Sequence, residues 1–181
     1  YARTPVVFST HLETAADNIT LAELPLIYNG ENATWPDGSN LRLIMRPPSE
    51  SDMKLLASLS PQMEKSVEAA HRRGDLLVAI NDQDNATALE KVRGSLGLST
   101  LAQITTENRR LKILSLDGQQ GSVESLRDGE YGHAKILFLV TKPIQSALVS
   151  NFVTFMRSDE GAAILSASGH LVPSSPVKPG G

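Results

Sequence analysis

At 181 residues, 40% of them apolar, the chain is long enough to bury the core of one sizeable domain or of one and a half small ones. Its net charge of −3 gives no basic footprint for nucleic acid, and an apolar run such as "ILFLV" at 136–140 is far too short to cross a bilayer. The absence of cysteine excludes disulfides and thiolate metal sites, and Tyr1 in place of an initiator Met, without a signal-peptide pattern, leads us to expect a processed chain or a piece of a longer one.

Along the chain, "TPVVFST" (4–10) is β-branched and apolar and reads as a buried strand. Thr20 with Glu23 makes a capping-box start for a helix whose apolar face is Leu21, Leu24 and Ile27. Gly30 ends that helix, and Pro25 would shorten or kink it. Trp35, the single tryptophan, lies in the Pro/Asp/Gly turn "ATWPDGSN". "LRLIMR" (41–46) alternates as a strand, and helices follow at about 50–59 and 61–73, the second stopped by Gly74. "DLLVAI" (75–80) reads as another buried strand, and Asp82 as the N-cap of a helix over 83–92. "GSLGLSTL" (94–101) suggests a tight strand or turn with close backbone approach. "RLKILSL" (110–116) and "AKILFLV" (134–140) read as strands, with a turn at Asp117-Gly118 and a short helix in "SVESLRDG" between them. Helices at about 143–157 and 159–167 follow, and "VPSSPVKPGG" (172–181) has the composition of a disordered tail. Strands alternating with helices predict an α/β fold on a parallel or mixed sheet. The last helices carry a strongly apolar face, through Leu148, Phe152 and Phe155, with few strands left to receive it.

Catalytic chemistry finds little support. His11, His71, His133 and His170 share no metal-binding spacing, and no P-loop, GxGxxG or GxSxG occurs, so no cofactor is expected. Asp82 and Asp84 sit where a helix begins, which favours Asp for capping and dipole reasons before acid–base work. The Asn-x-Thr triplets at Asn18, Asn32 and Asn85 read as chance or capping. The functional candidate is "RPPSESD": a strand ending in Arg46, two prolines, then Ser49, Glu50, Ser51 and Asp52 at a helix start. A guanidinium with hydroxyls and unpaired helix N–H groups can hold an oxyanion. The other reading is a helix that caps itself through Ser49 and Asp52, with Arg46 paired to Glu50 or Asp52.

Four motifs in order add a family resemblance. "LTLAELPLIYNGENATWPDGSNLRLIMRPPSESD", "VRGSLGLSTLAQI", "LKILSLDGQQGSVESLRDGEYGHAKILFLVTK" and "FVTFMRSDEGAAILSASGHLVP" together resemble phosphate-type substrate-binding proteins of ABC transporters, over about residues 4–173. The resemblance implies a type II periplasmic-binding-protein fold, here one complete α/β lobe plus part of the second. Residues 1–9 would be a hinge strand, 10–131 the cleft-forming second lobe, 132–173 the return strand and helices of an incomplete first lobe, and 174–181 a flexible tail. The missing half-lobe would account for the unmatched apolar helices and leave a surface for a homodimer. The resemblance also implies a non-catalytic, periplasmic or exported protein, lipid-anchored in its full-length form. It would bind a phosphate-like oxyanion or related small anionic solute and deliver it to a membrane permease. The same fold also serves sensory or interaction modules in which the ligand site is lost or changed. Arg46 matches the family's anion-binding Arg. Where the family has Ser-Gly-Thr this chain has Glu50, Ser51 and Asp52, or Ser49 and Glu50 on a register one residue earlier, so acids stand in the anion cradle.

Overall fold

The computed structural model describes residues 1–173, and the expected tail at 174–181 lies outside them. Its elements in order are β1 (Ala2–His11), β2 (Asn18–Ile19), α1 (Glu23–Asn29), β3 (Arg42–Met45), α2 (Ser51–Ala57), α3 (Pro61–His71), β4 (Leu77–Val78) and α4 (Asp82–Lys91). They continue as β5 (Ser95–Thr100), α5 (Leu101–Thr106), β6 (Leu111–Ile113), β7 (Ser115–Leu116), α6 (Val123–Asp128), β8 (Ala134–Leu137), α7 (Ala147–Met156) and α8 (Asp159–Ala167).

The run of β-branched and aromatic residues in β1 makes it the central strand, buried along almost its whole length. The main sheet has the order β4-β3-β5-β1-β6, and β8 also pairs with β1. β3 is parallel to both β4 and β5, whereas β1 is antiparallel to β5, β6 and β8, so the sheet is mixed. β1 divides its pairing: Ala2–Pro5 face β8, and Val6–His11 face β5 and β6. The core sits between β1, β3 and β5 and helices α1, α2 and α3, where Leu24, Tyr28, Met45, Leu56, Met63 and Leu96 are fully buried. Each such side chain contributes about 2 kcal/mol of burial.

Local chemistry explains most boundaries. Thr20 and Glu23 bond reciprocally, the Thr20 N–H donating to the Glu23 carboxylate at 2.9 Å and the Glu23 N–H to Thr20 Oγ1 at 3.2 Å. Because α1 starts at Glu23, Pro25 falls in the first turn, where its missing N–H costs nothing. Gly30 ends α1 in the left-handed conformation. Gly94 has φ +71°, and a Cβ there would lie 2.1 Å from the Asn40 carbonyl oxygen, so the close approach expected of "GSLG" is real. Trp35 is buried, and its indole N–H donates to the Gly94 carbonyl at 3.0 Å.

Five expectations need correction. "AKILFLV" is a strand only over Ala134–Leu137, and "RLKILSL" divides between β6 in the main sheet and β7, which pairs with β2. Leu21 precedes α1 and is exposed, so the apolar face runs through Leu24, Ile27 and Tyr28 instead. "DLLVAI" is not a buried strand: only Leu77–Val78 pair, with β3 alone, and these two side chains are 46% and 49% exposed. An apolar run reads alike for a central strand and for an edge strand. Asp82 is the first residue of α4 rather than its cap, because Asn81 accepts the Asp84 N–H at 2.8 Å.

Candidate functional site

Arg46 follows β3 directly, so the apolar strand "RLIM" carries it to the C-terminal edge of the sheet. The backbone there is anchored: the His71 ring on α3 has Nε2 2.9 Å from the Arg46 carbonyl and Nδ1 2.9 Å from that of Val67. Arg46 is only 2% exposed. One terminal nitrogen of its guanidinium donates to Glu50 Oε2 at 3.0 Å, and the other lies 2.9 Å from Asp82 Oδ1 in an ion pair not aligned as a hydrogen bond. Its Nε–H has no hydrogen-bond partner among the described residues. The Glu50 and Asp82 side chains are 37% and 52% exposed, so two solvent-facing carboxylates cover a buried cation.

The rest of "RPPSESD" divides. Ser49 and Ser51 are exposed. Glu50 is the N-cap residue of α2, in an extended conformation, and no side chain caps this helix. The self-capping pattern of Ser49 and Asp52 therefore does not form. Asp52 is instead buried and ion-paired with Lys135 of β8, which ties the start of α2 to the strand beside β1. The buried Tyr28 hydroxyl has no hydrogen-bond partner among the described residues, and burial first, then the Asp52 charge, raises its pKa.

The pairing of Arg46 with Asp82 escaped the sequence reading. The two are distant in the chain, but β3 and β4 are parallel with Met45 opposite Val78, so the residues that follow each strand emerge at the same sheet edge. That topological rule was the available signal. It brings Asp82 to Arg46, while the expected Asp52 is drawn away by Lys135.

The other candidates serve local structure. Among the described residues no group of three or more His, Asp or Glu could hold a metal ion. His11 Nδ1 accepts the Glu13 N–H at 3.1 Å, and the His133 ring packs edge-on against Tyr131. Asn85 is buried and donates to the Leu98 carbonyl at 2.8 Å, which removes it as a glycosylation acceptor. A surface pocket of about 490 Å³ lies at the far end of β3, beside Arg42 and Arg73. Both cations are already engaged there, Arg42 by the Arg93 carbonyl and Arg73 by Asp75, whose pKa that hydrogen bond lowers.

Arg46 thus lies buried at the C-terminal end of the parallel strand β3 in a mixed α/β sheet. The chain belongs to the PBP superfamily, whose domain model matches residues 1–160. It is 28% identical over 184 residues to the phosphate-binding protein PstS of Borreliella burgdorferi, across 94% of this chain and 64% of that protein. It is also 24% identical over 86 residues to phosphate-binding protein PstS 2 of Streptococcus agalactiae, across 47% of this chain and 28% of the relative. The chain thus spans less than two thirds of the length of these curated relatives.

Solved structures give the fold. A Clostridium perfringens substrate-binding protein with bound phosphate superposes with a TM-score of 0.76 at 14% identity, covering 94% of this chain and 69% of that one. PstS from Borrelia burgdorferi gives 0.65 at 24% identity with the same coverage. The fold is therefore the type II periplasmic-binding-protein fold expected from the motifs. The curated relatives are named for phosphate binding and the Clostridium perfringens neighbour for ABC transport, none of them as an enzyme.

Proposed function

We propose that the chain is a non-catalytic oxyanion-binding component of an ABC-type uptake system, acting outside the cytoplasmic membrane and delivering a phosphate-like anion to a membrane permease. The observation that carries this reading is Arg46: a buried guanidinium with an unmet Nε–H, at the strand edge where α/β sheets bind ligands. The names of the relatives support phosphate as the parent ligand. In this reading β1 and β8 form the hinge ribbon, residues 10–131 the cleft-forming lobe, and 132–173 part of the other lobe. The divided pairing of β1 supports that partition. Ser49 and Ser51 would supply hydroxyls beside Arg46.

Glu50 and Asp82 compete with the anion. Two like charges ~4 Å apart repel by about 4 kcal/mol at an effective dielectric near 20, and solvent screening of such exposed carboxylates brings this closer to about 1 kcal/mol. Inorganic phosphate should therefore bind this chain more weakly than micromolar, and Glu50→Gln with Asp82→Asn should tighten it about tenfold. Titration calorimetry on both proteins tests this. Micromolar binding by the unaltered chain, or no gain in the double variant, would contradict it.

The pairing of Arg46 also favours a second reading, an interaction or sensory module that has kept the fold and lost its ligand. Under that reading neither protein binds phosphate, even with the two carboxylates neutralised.

A further inference from the structure

The charge balance at Arg46 narrows the ligand class. Arg46 brings one positive charge, and Glu50 and Asp82 bring two negative charges at 3.0 and 2.9 Å from its nitrogens. The next acid, Asp52, is already matched by Lys135. Arg46 is 2% exposed and its Nε–H is buried without a partner among the described residues, so an oxyanion reaches it only by displacing part of its cover, and then stands beside two carboxylates with one guanidinium to serve all three. A simple dianion deepens that imbalance. A ligand with an ammonium close to its oxyanion corrects it, because both carboxylates are open to solvent and lie against the same guanidinium.

Resting on the oxyanion reading above, we propose that the site takes a zwitterion: a phosphonate or phosphate monoester carrying a primary ammonium within about two carbons of the phosphorus group. The oxyanion takes Arg46, and the ammonium takes Glu50 and Asp82, which makes these two acids specificity-determining residues. They exchange part of their contact with Arg46 for a contact with the ligand cation.

The test is a titration of the full chain with 2-aminoethylphosphonate, ethylphosphonate and inorganic phosphate, followed by NMR so that weak binding is measured. The expected result is that 2-aminoethylphosphonate binds about tenfold more tightly than ethylphosphonate, roughly the effect of one added ion pair. That preference should vanish in Glu50→Gln with Asp82→Asn while ethylphosphonate binding improves. Equal or tighter binding of ethylphosphonate to the unaltered chain overturns the proposal, as does a preference that survives the double substitution. A preference replaced by dependence on added magnesium overturns it too, since a metal would then supply the missing charge. Arg46→Met and Arg46→Lys, each checked for an intact fold by thermal melting, separate this proposal from the reading beneath it. If ethylphosphonate and phosphate bind and Arg46→Met abolishes that binding, the oxyanion reading stands whatever the amine does. If no phosphorus oxyanion binds any variant, that reading falls and the zwitterion falls with it.

Discussion

Two parts of the molecule carry equally strong apolar patterns and meet different fates. Around β1, β3 and β5, nearly every apolar position of the pattern is buried, from Val7 to Leu56 and Leu96. In α7 none of the ten residues is buried, and Leu148, Phe152 and Phe155 face outward together with Phe138, Val140 and Ile144 before them. Amphipathic periodicity states which face wants cover, and only the rest of the chain decides whether cover is found. The strand run "VVFST" finds β5 and β6 beside it, whereas residues 138–156 pair with no strand among the described residues.

The comparison can be broken at several points. Leu56→Ala should cost about 3 kcal/mol, because it opens a cavity in the central cluster, and lower the melting temperature by about 10 °C. A negligible shift in a thermal melt would show that this core is less tightly packed than its burial indicates. Lys135→Met should cost about 2 kcal/mol by stranding the Asp52 carboxylate, and adding Asp52→Asn should restore most of the loss. Denaturant unfolding of the four members of that cycle would reveal whether the two substitutions are merely additive, which would dissolve the link between α2 and β8.

A smaller effect concerns pH. Burial lowers the His133 pKa below the usual ~6.5, against the opposing pull of Asp117. The unfolded chain then binds a proton more readily than the folded one, so His133 lets stability hold above ~6.5 and fall as pH drops through the window just below it. His133→Asn should flatten that part of the stability–pH curve, and an unchanged slope would remove His133 as its source. The smallest effect is expected at Phe152→Ser, within about 0.5 kcal/mol, since this exposed side chain contributes little to the fold. A loss matching that of Leu56→Ala would mean that the outward face of α7 is covered in solution.

Much of the fold was legible because its signals are local. Gly30, Gly94, the reciprocal pair Thr20 and Glu23, and the Asp117-Gly118 turn each mark a boundary by backbone chemistry that a short window contains. The order of motifs carried the family and the type II fold. What stayed illegible depends on distant neighbours. The exposed edge position of Leu77 and Val78 follows from strand order, which no run of apolar residues encodes. At the candidate site, Arg46 and Glu50 are four apart and their pairing could be read, whereas Asp82 and Lys135 reach "RPPSESD" only through the sheet. Partner choice among several nearby acids is decided by three-dimensional geometry.

The claim on which the rest depends is that the buried Arg46 guanidinium, beneath Glu50 and Asp82, is the place where an oxyanion binds. Its Nε–H is the direct reporter, because it is buried and free of acceptors among the described residues. Following that N–H resonance while inorganic phosphate is added to the Glu50→Gln, Asp82→Asn protein should show a saturable downfield shift as the N–H donates a hydrogen bond to the anion. A resonance that stays in place while the anion saturates other sites, or in the presence of excess phosphate, would contradict the account.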